Sequence, residues 1–181
     1  MKQYSVEKSQ HDFKPNDQPL FTWATKCDWE FRLTESMWYS REDPDYPYGD
    51  YNGWNKLGFG FTRFFSKNDQ SSCMIAYFPD EANPNRFNIV GYTNDKHGNW
   101  DQKFLTNVGL EEYEGSTIWL PDSVVFKIRK KGSASDFRLI SMDCNRGPLW
   151  LPRRGIGGYF GGRFPWFRDK PAQYYGSAKY K

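Results

Sequence analysis

The chain has 181 residues, of which 19% are aromatic and 38% hydrophobic, and its net charge is +3. No stretch approaches the roughly 18 apolar residues of a transmembrane helix. Rings at this density bury enough surface to offset chain entropy, which argues against a disordered chain. The 16 glycines and 11 prolines interrupt every long helical window and argue against a helical bundle.

The chain divides into three segments by composition. Residues 1–20 are polar and contain prolines, which predicts an extended arm that becomes ordered only against another surface. Residues 21–168 carry short apolar runs separated by turn residues, and residues 169–181 form a polar C-terminal tail with two adjacent tyrosines. The runs predict strands at 29–33, 54–65, 72–78, 86–93, 103–108, 117–120, 124–130, 137–141 and 156–162.

Strands about ten residues apart, with no amphipathic helical window, predict an all-β sandwich or barrel. The one candidate for a helical turn is Gly109 to Tyr113. Glycines inside the run from 54 to 65 indicate places where another part of the chain comes close to the backbone.

Two short motifs carry a resemblance to a known family. Asn55-Lys56-Leu57-Gly58-Phe59 resembles an Asn-Lys-Leu-x-Gly signature, and the run 158–162 resembles a Pro-Tyr-Phe-Gly-Gly signature with Gly158 in place of the proline. Together they are similar to small lectin-like jelly-roll domains of Bacteroidetes and of the crAss-like tailed phages that infect them. The resemblance implies a concanavalin-like jelly-roll sandwich between residues 52 and 165, and it supplies no catalytic residues.

A loop rich in tyrosine, proline, glycine and aspartate precedes the second predicted strand. Rings in such a loop lack a strand partner, and aromatic faces stack on the apolar faces of sugars. We therefore predict a glycan-binding loop, although the ring of Trp54 could equally belong to the core. The candidate residues are Tyr46, Tyr48, Asp50, Tyr51, Asn52 and Trp54.

Positive charge collects near the C-terminus. Residues 120–181 have a net charge of +9 and residues 1–119 a net charge of −6. Cations that alternate with rings there predict an interface with another protein; an ordinary surface and a single-stranded nucleic-acid groove are the alternatives. The candidate interface residues are Arg153, Arg154, Arg163, Trp166, Phe167 and Arg168.

The motifs of catalysis and metal binding are weak. Cys27, Cys73 and Cys144 are too widely spaced for a zinc site or a disulfide framework, so we expect reduced thiols. Asp95 and Asp101, with their neighbouring asparagines, fit a hairpin tip better than a calcium loop.

A polysaccharide lyase could draw on four residues, namely Arg63, Tyr92, His97 and Gln102. We expect no cofactor and no metal.

The favoured interpretation is a non-enzymatic structural or adhesion protein with a glycan-binding face. The phage resemblance implies a capsid decoration or head fibre on the virion surface, made in the cytoplasm because the N-terminus has no signal-peptide pattern. The expected partners are a glycan, capsid or other virion proteins and further copies of the chain, with no membrane and no nucleic acid. The alternative is a polysaccharide lyase or hydrolase on the same fold.

Overall fold

The computed structural model describes residues 1–46, 55–67, 70–143, 150–160 and 165–181. Within these ranges the chain forms eleven strands and one short 3-10 helix, Glu35–Met37. The strands are β1 Lys2–Val6, β2 Lys26–Leu33, β3 Asn55–Arg63, β4 Ser72–Pro79, β5 Phe87–Asn94, β6 Trp100–Val108, β7 Tyr113–Trp119, β8 Ser123–Lys130, β9 Arg138–Asp143, β10 Arg153–Ile156 and β11 Ala172–Tyr180. No helix in these ranges has the length and apolar character needed to cross a membrane.

The strands form two antiparallel sheets that face each other. The six-stranded sheet has the order β1-β11-β2-β7-β8-β9, and the five-stranded sheet has the order β10-β3-β4-β5-β6. This arrangement confirms the predicted all-β jelly-roll sandwich. Residues 109–113 do not form a helix, because the run from Tyr113 pairs with β2 and β8 as β7.

Aromatic rings fill the space between the sheets. Phe31 on β2 and Phe59 on β3 stack across the interface, with ring centroids 6.3 Å apart and planes within 13°. Trp119 meets Phe61 edge to face at 6.0 Å. The alternation within β2 explains the facing: Cys27, Trp29, Phe31 and Leu33 are buried while the residues between them are partly exposed. Period-two patterning therefore decides which side of each strand enters the core.

The two polar termini are part of the six-stranded sheet, where the sequence predicted an arm and a tail. β1 pairs with β11, and β11 in turn pairs with β2 near the middle of the sheet. The reason is aromatic burial: Tyr4 stacks on Tyr174 at 4.9 Å, and these side chains are 3% and 1% exposed. In each terminal segment, alternate residues thus point inward and contribute rings to the core. The residues between them point outward and make the segment polar in composition.

A bulge in β3 shapes the other sheet. The register of β3 against β4 shifts on both sides of Gly58, whose φ is +83°, and Phe59 also has a positive φ of 55°. A Cβ on Gly58 would lie 2.4 Å from the carbonyl oxygen of Ile156, so only glycine allows β10 to approach there. The predicted close approach at the β3 glycines is confirmed.

Tyr174 anchors β11 and yields a stability prediction. Its hydroxyl donates to the carbonyl oxygen of Leu57, 3.1 Å away on the opposite sheet. We expect Tyr174→Ala to lower the free energy of unfolding by about 3–5 kcal/mol, as for other large buried rings. Tyr174→Phe removes only the hydroxyl and should cost about 1 kcal/mol.

Urea unfolding followed by tryptophan fluorescence measures both values. Tyr175→Ala is the matched control, because the Tyr175 ring is only partly buried and lies under the Arg32 guanidinium, 4.6 Å from its centroid. Equal losses in Tyr174→Ala and Tyr175→Ala would show that β11 is not held by its inward ring.

Candidate functional site

The outward face of the five-stranded sheet carries a second apolar cluster, separate from the main core. The strands in the described ranges form two layers, so no third sheet lies over this face. Its central side chains are nevertheless almost inaccessible. They are Met74, Ala76, Val90, Tyr92 and Ile156, at 0% to 7% exposure. The centre of this outer face is therefore screened from solvent by neighbouring parts of the chain, and we call this region of the sheet the recess.

The strand register sets three rows of outward side chains across the recess. The first row is Arg154, Thr62, Ser72, Asn94 and Trp100. The second row is Ile156, Gly60, Met74, Tyr92 and Gln102. The third row is Tyr159, Lys56, Ala76, Val90 and Phe104. Among these positions there are two cations and no carboxylate.

Lys56 lies between two tyrosine rings in this recess. Its ammonium nitrogen is 5.0 Å from the ring centroid of Tyr92 and 5.7 Å from that of Tyr159. Burial lowers the pKa of Lys56, and no carboxylate of the described residues forms an ion pair with it. The two ring faces attract the ammonium but replace only part of its lost hydration.

Two further rings extend this arrangement on both sides. His11 stacks on Tyr159 at 5.0 Å with planes within 8°, and its Nδ1 is 2.9 Å from the carbonyl oxygen of Phe160. Trp100 is parallel to Tyr92 at 6.3 Å and is 58% exposed. The result is a row of four rings with a cation at its centre and an exposed indole at one end.

Gln102 adds an unsatisfied polar atom beside these rings. It stands opposite Tyr92 in the pairing of β5 with β6. Its Oε1 is buried and has no hydrogen-bond partner among the described residues, as is true of Nε of Arg154. A buried acceptor without a donor costs free energy, and a hydroxyl brought by a ligand would satisfy it. The recess thus offers a cation, an acceptor and ring faces together.

The four residues considered for a lyase do not assemble as a group. Tyr92 and Gln102 are neighbours in the recess. His97 is exposed in the β5–β6 turn, where its backbone N–H donates to Asp95 Oδ1 at 2.7 Å. Arg63 alternates with the outward Thr62 and points towards the core side, opposite Arg153. The Asp95 carboxylate also accepts from Asn99, which confirms the predicted hairpin tip.

Most of the predicted glycan loop lies outside the described residues: Tyr48, Asp50, Tyr51, Asn52 and Trp54 fall in 47–54. Tyr46 is described, and its ring is used within the domain. It stacks on Tyr39 at 5.7 Å and meets Phe167 edge to face at 5.6 Å. Its hydroxyphenyl group therefore borders the core beside the start of this loop.

Arg153, predicted as an interface cation, is 1% exposed and acts inside the chain. Its guanidinium donates to the carbonyl oxygens of Trp23, Ala24 and Leu151, at 2.7, 2.8 and 3.2 Å. Burial, and then repulsion from Arg63, lower the pKa of Arg153. The side chain clamps the segment that leads into β2, because buried carbonyls need a donor.

The other predicted interface residues that the structure describes are also engaged within the domain. Trp166 is 1% exposed and donates from Nε1 to the carbonyl oxygen of Lys170 at 2.8 Å. Arg168 lies against the ring of Phe167 and forms an ion pair with Asp43. Burial raises the pKa of Asp43, but the hydrogen bond from Arg168 outweighs it and lowers that pKa overall.

Arg154 donates to the carbonyl oxygen of Ser66 at 2.8 Å, and Arg163 lies outside the described residues.

Four residues of this arrangement are absent from the site predicted from the sequence, namely Lys56, Tyr159, Trp100 and His11. The alternation of side chains along β3 indicates the position of one of them. In Asn55-Lys56-Leu57-Gly58-Phe59, the buried Leu57 and Phe59 imply that Lys56 points outward. That the outward side is a recess depends on Tyr159, more than a hundred residues away, so no local pattern shows it.

Lys56 generates a stability prediction with a defined pH dependence. Because burial disfavours the charged form, we expect Lys56→Met to raise the free energy of unfolding near neutral pH by about 0.5–2 kcal/mol. The lysine pKa is lower in the folded state than in the unfolded state. The free-energy cost of burying the charged lysine in the wild-type protein is therefore full below the folded-state pKa. This cost disappears as pH rises towards the ordinary lysine pKa of about 10.4.

Urea unfolding of both proteins at several pH values between neutral and alkaline tests this expectation. Lys103→Met is the control, since Lys103 is exposed on β6. A Lys56→Met protein that is less stable than wild type at every pH would contradict the interpretation of Lys56 as an uncompensated cation.

Comparison with known proteins agrees with the architecture. No protein-family model matches the chain, and no curated protein matches it in sequence. The alginate lyase from Klebsiella pneumoniae is similar in structure, with a TM-score of 0.57 and 7% identity, over 86% of this chain and 59% of that one. The chain thus spans less than two thirds of that structure.

Two other solved structures are less similar. The CBM2 module of the evolved Dit of Lactobacillus casei BL23 phage J-1 has a TM-score of 0.42 and 11% identity, over 98% of this chain and 66% of that one. LamAcat from Zobellia galactanivorans has a TM-score of 0.34 and 10% identity, over 99% and 63%. At these identities the likeness to the alginate lyase establishes the shared sandwich fold and nothing more.

Proposed function

We propose that this chain binds carbohydrate in the recess on the outer face of the five-stranded sheet. The observation that carries the proposal is the placement of Lys56 between Tyr92 and Tyr159, with a parallel Trp100 beside them. Stacked rings offer apolar faces for the C–H groups of a sugar, while a few polar groups fix its orientation. Both kinds of group are present in one recess.

Each residue has a distinct part in the proposed complex. The exposed indole of Trp100 stacks on a sugar ring at the open edge of the sheet. The Lys56 ammonium donates to sugar oxygens deeper in the recess, and Gln102 Oε1 accepts from a hydroxyl. Desolvated polar groups without partners are costly in the free protein, so pairing them with a ligand favours binding.

The charge of the recess favours an acidic glycan. Lys56 and Arg154 are the cations of the three outward rows, which hold no carboxylate. Burial, and then the charge of Asp12, raise the pKa of Tyr159. A uronate carboxylate or a sulfate would supply the counter-charge that Lys56 lacks, which a neutral sugar does not.

The predicted loop remains part of this proposal. Trp54 immediately precedes β3 in the chain, two positions before Lys56. We assign Tyr48, Asp50, Tyr51, Asn52 and Trp54 to a second set of sugar contacts, whereas the ring of Tyr46 packs within the domain. Comparing loop variants with recess variants separates the two contributions.

We further propose that the domain acts as a non-enzymatic virion protein, of the capsid decoration or head-fibre type. The support is the resemblance of two short motifs, each of which departs from its signature at one position, to domains of crAss-like phages and their hosts. Weak single sites gain affinity when many copies are displayed on one particle, which suits an adhesion role. Capsid or tail genes beside the reading frame, and the protein in purified particles, would support this role.

A polysaccharide lyase or hydrolase is the second candidate, and one observation favours it. Tyr92 and Gln102 lie side by side in the recess next to Lys56. Such groups could orient an acidic sugar and exchange a proton with it. Formation of unsaturated or reducing ends from the same polysaccharides that bind would favour the enzyme over the binding protein.

The test is binding of the protein, displayed in many copies on beads, to matched polysaccharides. A uronate-rich, a sulfated and a neutral glycan are compared at low and high salt. We expect binding to the acidic glycans that weakens with salt. Trp100→Ala should lower affinity several-fold, since a ring contact contributes about 0.5–1.5 kcal/mol beyond burial, and Lys56→Met should remove the preference for acidic glycans.

Leu139→Ala is the matched control, because Leu139 is 55% exposed on β9 of the other sheet. Tyr48→Ala and Trp54→Ala report on the loop. Binding to neutral glycans alone would overturn the acidic preference. Normal binding by both Trp100→Ala and Lys56→Met would overturn the recess, and no binding to any displayed glycan would overturn the carbohydrate function.

A further inference from the structure

An exposed aromatic ridge lies at one end of the sandwich. We define the aromatic ridge as Leu20, Phe21, Trp23, Phe64 and Phe65. Leu20 and Phe65 are 81% and 85% exposed, and Phe21 and Trp23 are 51% and 56% exposed. Phe21 meets Trp23 at 5.5 Å and Phe64 at 5.4 Å, and Phe64 meets Phe65 at 5.0 Å, all edge to face. The rings therefore form one continuous surface.

The backbone beneath the ridge is held firmly. Thr22 and Arg153 exchange two backbone hydrogen bonds, of 2.7 and 2.9 Å, and the Arg153 guanidinium donates to the carbonyl of Trp23. The Phe64 N–H donates to the carbonyl oxygen of Pro152 at 3.1 Å. A buried arginine thus fixes the backbone that carries these solvent-exposed rings. Little conformational entropy is therefore lost when the rings bind a partner.

The exposed area is large for an isolated domain. At the exposures given above, the five side chains leave on the order of 600 Å² of apolar surface in water. A monomer's largest apolar patch is about 300–600 Å², so the aromatic ridge lies at the upper end of that range. Two ridges in contact would bury about 1,200 Å² in total, which is the lower bound for a stable interface.

We propose that the aromatic ridge is the contact between two copies of this chain. The area reaches the lower bound for a stable dimer. The five side chains carry no charge, so a two-fold contact of the ridge with itself brings no like charges together. Two adjacent arginines are engaged within the chain: Arg153 donates to three carbonyls and Arg154 to the carbonyl of Ser66. Aromatic anchors on a fixed backbone are typical of interface hot spots.

This inference is independent of the carbohydrate proposal and would also change how that site works. Arg154 connects the two regions, because it lies in the first row of the recess and donates to Ser66, next to Phe65. Ridge-to-ridge contact would therefore join two recesses in one particle. A dimer would engage a long polysaccharide at two points and gain avidity.

The experiment is sedimentation velocity of the full chain from low micromolar to several hundred micromolar. We expect wild type to dimerise, and Phe65→Asp and Phe21→Asp to raise the dimer dissociation constant by roughly 30-fold or more, as for a hot-spot residue. Leu139→Asp, with a similarly exposed apolar side chain on the other sheet, should dimerise like wild type. Unchanged thermal midpoints show that the variants are folded.

A wild-type protein that stays monomeric at every concentration would overturn the proposal. The proposal would also be overturned if Phe65→Asp and Phe21→Asp dimerised as strongly as wild type. A monomer that sediments with phosphatidylserine vesicles, and loses this with Phe65→Asp, would overturn it by assigning the ridge to a lipid surface. Glycan binding by a monomeric Phe65→Asp protein leaves the carbohydrate function intact, so the two proposals can fail separately.

Discussion

The structure depends on burial of aromatic rings between two sheets in a chain with few aliphatic side chains. Phe31, Phe59, Phe61 and Trp119 meet across the sandwich, where aliphatic residues fill many other cores. Rings bury much surface each but pack only in certain orientations, so they hold the sheets at defined positions. The C-terminal strand follows from this constraint, because Tyr174 enters the core between β1 and β2.

Arginine side chains hydrogen-bond polar groups that the aromatic rings cannot satisfy. Arg153 and Arg168 satisfy backbone carbonyls and Asp43 at places where loops reach the sandwich. A guanidinium has more donors than a lysine ammonium and presents them in a rigid fork. Arg153 and Arg168 of the basic C-terminal segment are therefore engaged in internal contacts, and exposed apolar surface lies on the ridge that Arg153 supports.

The two faces of the five-stranded sheet have opposite character. Its inner face is lined mainly by apolar side chains, whereas its outer face holds Lys56 in a recess without a carboxylate partner among the described residues. Such a group lowers stability in the free protein, and stability is commonly lost where a binding site needs a desolvated polar group. The bulge at Gly58 lets β10 approach, which brings Tyr159 beside Lys56 and completes the recess.

Alternation and turn residues are local signals, and they predicted the fold class and the approximate position of eight strands, β2 to β9. The strand predicted at 156–162 meets β10, Arg153–Ile156, only at Ile156. The β3 glycines also indicated a close approach. That the terminal segments are β1 and β11 is visible only in the three-dimensional structure, since their burial depends on rings from distant strands. The three-dimensional structure likewise decided that Arg153 and Trp166 are internal and that Lys56 lies between Tyr92 and Tyr159. Composition reports how many rings and charges a chain has, but strand pairing between distant segments determines which of them meet.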